Sequence, residues 1–93
     1  MAASKFTFDV TTTTQYGQSG TVTYDQIKTA IQRTLGIKAQ IINVKRFKGD
    51  VVSFSVKADA QWVMDALAIV SKVAGRNATT DLIVPDPVQL LNV

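Results

Sequence analysis

A small α+β domain, with elements in the order β-α-β-β-α-β, is what three features of this 93-residue sequence predict. Apolar side chains alternate in "KFTFDV", "AQIINVKRF" and "DVVSFSVK", the period-two signature of half-buried strands. They recur at spacings of three and four over residues 24–35 and 60–74, the stripe of a helix that covers a sheet. Glycine follows both helical stretches and also sits between the second and third strands, where the chain must turn.

Taken in order, Phe6, Phe8 and Val10 share one side of the first strand, with Lys5, Thr7 and Asp9 on the other. The polar run "TTTTQYGQSG" extends the strand through its threonines and becomes a loop at Gly17, Ser19 and Gly20. Thr23 is the expected N-cap of the first helix, with Gln26 completing a capping box, and Tyr24, Ile27, Ile31 and Leu35 form its buried stripe. Gly36 ends it, being able to take the left-handed backbone conformation that closes a helix. In the second strand Ile42 and Val44 are expected to point inward, and Ile41, Asn43, Lys45 and Phe47 outward. "KGD" is a hairpin connection, and Val52, Phe54 and Val56 line the inner side of the third strand. Asp59 is placed to cap a second helix that runs to Ala74, with Gly75 as its stop. "TDLIV" reads as the fourth strand, and Pro85 and Pro87 forbid an interior ladder beyond it. This order is the split-βαβ, ferredoxin-like arrangement, a four-stranded antiparallel sheet with two helices on one face. The whole chain is one domain, with the apolar segment at 86–93 as a C-terminal arm.

Composition narrows the chemistry. There is no cysteine and no histidine, and all seven acidic residues are Asp, scattered over strand ends, turns and helix starts. Thiol catalysis, thiolate metal sites and histidine acid–base chemistry are therefore absent, and no paired carboxylates are expected in a cleft. The first loop carries no Arg or Lys, which removes the phosphate cradle of the small phosphatases that share this fold. The expectation is a non-enzyme with no cofactor, no metal and no small-molecule substrate. The longest apolar segment, residues 60–74, is interrupted by Asp65 and Lys72, so no membrane span is expected. The chain reads as soluble and cytoplasmic, or associated with a virion.

The formal charge of +3 is a mild bias toward anionic partners, concentrated in "INVKRFKGDVVSFSVK". If the open side of the sheet carries Lys45, Phe47 and Lys57 beside Asn43, Ser53 and Ser55, it offers phosphate-binding cations and one stacking ring. Lys45, Arg46, Phe47, Lys48 and Lys57 are the candidate RNA or polyanion contacts. The stretch resembles RNA-recognition motifs in its order of elements and in Lys48-Gly49. It departs from that family where Asp50, Val52 and Ser55 replace the base-stacking aromatics. Binding by charge, with little sequence preference, is therefore the expectation.

The second helix has an apolar arc broader than one sheet face requires. Ala60, Val63, Leu67, Val70 and Ala74 form a core stripe; Trp62, Ala66, Ile69 and Val73 form another, and Met64 widens the arc. Such breadth suggests that another surface covers part of it. Self-association through Trp62, Ala66, Ile69 and Val73, with Val88, Leu90 and Leu91 of the arm, is expected. "FTFDV", "VTYDQIKTAIQRTLGI" and "IINVKRF" together also resemble the early part of coat proteins from small tombusvirus-like viruses. That resemblance implies a viral structural role without independent nucleic-acid binding. The chain is nevertheless too short for a jelly-roll shell domain and lacks an arginine-rich arm.

Overall fold

In a computed structural model of the protein, which describes residues 5–81 and 84–85, the elements follow the predicted order. They are β1 (Lys5–Thr12), α1 (Gly20–Thr34), β2 (Ala39–Phe47), β3 (Val51–Asp59), α2 (Ala60–Ala74), β4 (Ala78–Thr80) and β5 (Val84–Pro85). A short 3-10 turn follows each helix, at Gly36–Lys38 and Gly75–Asn77. The sheet is antiparallel in the order β2-β3-β1-β4, consistent with the ferredoxin-like topology. No helix among the described residues is long and apolar enough to cross a membrane.

The core lies between the sheet and the helices. β1 contributes Phe8 and Val10, and β3 contributes Val52, Phe54, Val56 and Ala58. Tyr24, Ile27, Ile31 and Leu35 close over them from α1, and Val63, Ala66, Val70 and Ala74 from α2. Phe54 and Tyr24 meet edge to face with ring centroids 5.0 Å apart. Thr12 is also fully buried, at the end of the β1–β3 pairing. Its hydroxyl accepts from Val52 N–H at 2.9 Å and donates to Val52 C=O at 3.2 Å, so a side chain satisfies backbone groups that another ladder pair would otherwise occupy.

Three expectations are corrected. α1 begins one turn before Thr23: Ser19 is the N-cap, and its hydroxyl accepts from Val22 N–H at 3.3 Å. Thr23 is fully buried inside that first turn, where its hydroxyl donates to Ser19 C=O and accepts from Gln18 Nε2. Asp59 does occupy the N-cap position of α2, but its carboxylate makes no capping bond; it pairs with Lys5 Nζ at 2.8 Å across the β1–β3 ladder. The last strand starts at Ala78 rather than Thr80 and comes in two pieces. Thr80 pairs with Val10 and Val84 with Thr7. Pro85 pairs with Phe6 on this outer strand, where a missing N–H is tolerated.

Candidate nucleic-acid interface

The face of the sheet away from the helices is read from strand register. Cross-strand partners share a face, so residues opposite buried Val52, Phe54, Val56 and Ala58 face the core, and those opposite Val51, Ser53, Ser55 and Lys57 face out. Lys5, Thr7 and Asp9 of β1 thus lie on the open face, as predicted, and Thr11 joins them.

β2 does not keep one alternation throughout. Ile41 pairs with Val56 and Ile42 with Ser55, but Lys45 pairs with Ser53, so β2 carries one extra residue between Ile42 and Lys45. Asn43, at φ 56°, supplies the left-handed backbone for this bulge. Before it the inward residues are Ala39 and Ile41, not Ile42. Beyond it Lys45 and Phe47 face out as expected. Ile42 therefore joins the open face, and Val44, expected inward, is 40% exposed.

The bulge determines where the predicted contacts fall. Lys45 and Phe47 lie two residues apart at the hairpin end of the open face, and Phe47 is 55% exposed. Lys48 is exposed in the turn. Arg46 pairs with Val52, so it belongs to the opposite face, where its guanidinium lies 5.5 Å from the centre of the Tyr24 ring. Lys57 is half-buried on the open face and pairs with Gln40. It stands four residues along β3 from the partner of Lys45, a distance of about 13 Å. Two acids share that face: Asp59 is held by Lys5, and Asp9 accepts from Ser55 Oγ at 2.6 Å.

The turn holds a contact that nothing in the sequence signals. Gly49 and Asp50 both have positive φ, and this turn sets Asp50 against the first turn of α1. Its Oδ1 accepts from the Thr21 hydroxyl and, at 3.3 Å, from Thr21 N–H. Hydrogen bonds from the Ser19 and Thr21 hydroxyls, then from backbone N–H groups at Thr21 and Gly20, hold the Asp50 carboxyl below its usual range. The only acid at the hairpin tip therefore serves as an anion at a helix N-terminus. Because its folded value is lowered, Asp50 contributes stability that is complete above the unfolded value, about 4, and lost as pH falls through the folded value. The urea midpoint of the wild type should fall in that acid window more steeply than that of Asp50→Asn; parallel pH profiles would contradict the anchor.

The expected second stripe of α2 is mostly covered within the chain. Ala66 is fully buried in the core and offers no surface to a neighbour. Trp62, Ile69 and Val73 are half-buried and pack against the core, and Lys38 Nζ lies 4.1 Å from the centre of the Trp62 ring. Val73 also borders a shallow groove between the helices, with Val22 and Ala30 of α1. Ala60 and Met64 are exposed, the latter at 61%. Val88, Leu90 and Leu91 lie outside the described residues.

No protein-family model and no curated protein matches this chain. Its own geometry is what speaks to function.

Proposed function

We propose that the protein is a non-catalytic assembly module that joins copies of itself or a protein partner and binds single-stranded RNA or another polyanion by charge. One observation carries the nucleic-acid part. Lys45 and Phe47 sit side by side on the open face with Lys48 in the adjoining turn, and the nearby carboxylate of Asp50 is engaged by α1. Cations for phosphate and a ring for a base are thus adjacent, with no free acid among them. Lys57 extends the basic track along β3, past half-buried Ser53; Ser55 between them is buried, with its hydroxyl donating to Asp9. Arg46, on the other face, adds to the field of the hairpin rather than to the contact surface. On this reading the protein acts in the cytoplasm or as part of a virion.

Binding of this kind weakens steeply with salt. Removing two phosphate contacts by Lys45→Gln with Lys48→Gln should lower the slope of log affinity against log salt by about 1.4. Fluorescence anisotropy with a labelled oligouridylate over a salt series measures it. Phe47→Ala should weaken binding by about fivefold or more through lost stacking, with the slope unchanged. An unaltered affinity and slope in the double lysine variant would overturn the reading.

A further inference from the structure

We infer that the outer edge of β2, with the groove between it and α1, takes up an extended acidic peptide segment of a protein partner as an added strand. This rests on reading the chain as an assembly module, and it specifies where the partner docks and by what chemistry.

β2 ends the sheet. β3 satisfies one side of its backbone, and among the described residues no strand pairs with the other. Such an edge is a template for an extended chain unless something blunts it. Here the protection is uneven. The second half of the strand is broken by the Asn43 bulge and bears Lys45 and Arg46, whereas Ala39–Ile42 runs in unbroken register with β3 and contains no charge and no proline.

Beside that regular half lies a groove of about 430 Å³ between α1 and the strand. Half-buried Ile41 lies along it above the buried Ile31, and Ile37 stands at its edge, 97% exposed. A large aliphatic side chain left in water next to an open strand edge is what an added strand would cover with its alternate side chains.

Charge selects the occupant. Lys28 lines the groove and no carboxylate does; Lys38, with its ammonium over the Trp62 ring, and Lys45, on the open face, flank the strand segment and add to the positive field at its two ends. A second copy paired antiparallel, edge to edge, would bring the Lys38 end of one strand beside the Lys45 end of the other, cation near cation. RNA would match the charge but leave the alternating N–H and C=O groups and the aliphatic wall unused. An extended peptide with alternating aliphatic and acidic side chains answers all three features.

The test uses the full chain and a capped octapeptide alternating aspartate with isoleucine or valine, followed by fluorescence anisotropy. The peptide should bind, and its lysine-for-aspartate counterpart should bind about tenfold more weakly or worse. Backbone N-methylation of every second residue should abolish binding when placed on one edge of the peptide and spare it when placed on the other, because alternate amides point to opposite sides of a strand. Ile37→Asp, at a position already in solvent, should lose peptide affinity and retain oligouridylate affinity, whereas Lys45→Gln with Lys48→Gln tests the RNA reading separately. Equal binding of both N-methylated forms would overturn the inference. So would displacement of the peptide by oligouridylate with Ile37→Asp indifferent, or a dimer in light scattering that Ile37→Asp dissolves.

Discussion

Gly20→Ala is expected to destabilise the protein by at least about 2 kcal/mol, lowering Tm by roughly 10 °C or more. At an exposed helical position the same substitution stabilises by about 0.5–1 kcal/mol, so the sign itself is informative. The reason lies in the close approach of α1 to the β2–β3 turn. A Cβ on Gly20 would stand 1.9 Å from the Asp50 carbonyl oxygen and 2.7 Å from Thr12 Oγ1. The first is backbone, and the second is held by two hydrogen bonds to Val52. Neither can yield unless the helix and the turn move apart, which would also strip Asp50 of its Thr21 contacts. Thermal unfolding followed by circular dichroism measures the effect. A variant that melts at or above the wild-type temperature would show that this junction is not close-packed.

The largest effect is expected from Phe54→Ala, at about 3–5 kcal/mol. Phe54 is 1% exposed in the middle of β3, flanked by β1 and β2 and covered by Tyr24 of α1. Its removal leaves a cavity that three strands and a helix would have to collapse into, and it deletes an edge-to-face ring contact worth about 0.5–1.5 kcal/mol beyond area. A domain of this size has a total stability of about 5–15 kcal/mol, so the variant should be partly unfolded without denaturant or close to it. Urea titration followed by the fluorescence of the single tryptophan, Trp62, reads this directly. Phe54→Leu should cost much less, because most of the volume remains. A loss below about 1 kcal/mol for Phe54→Ala would contradict the position of this ring in the core.

The open face and the helical face of this sheet are told apart by residues whose roles differ in how local they are. Phe8, Val10, Val52, Phe54 and Val56 were legible as core because an unbroken period of two carries its own phase. Ile27, Ile31 and Leu35 were legible for the same reason at the helical period. Ile42 faces the open side against expectation because the phase of β2 slips at Asn43, and an unbroken period of two cannot register an added residue. An asparagine inside an aliphatic run, a residue type that tolerates the left-handed conformation, was the available hint. The cap of α1 is not legible locally because Thr23 and Gln26 reproduce the spacing of a capping box inside a helix that Ser19 has already started.

By itself, then, the sequence determined the class of fold, the order of its elements, most of its core and the absence of histidine and cysteine chemistry, since each depends on residue type or on periodicity along the chain. The tertiary structure alone decided that the Arg46 guanidinium packs over the Tyr24 ring, that Ala66 of α2 is fully buried core, and that Asp50 anchors a turn to the start of α1. Those outcomes depend on which surfaces meet through space: Asp50 and Thr21 are 29 residues apart in the chain, and no local pattern links them.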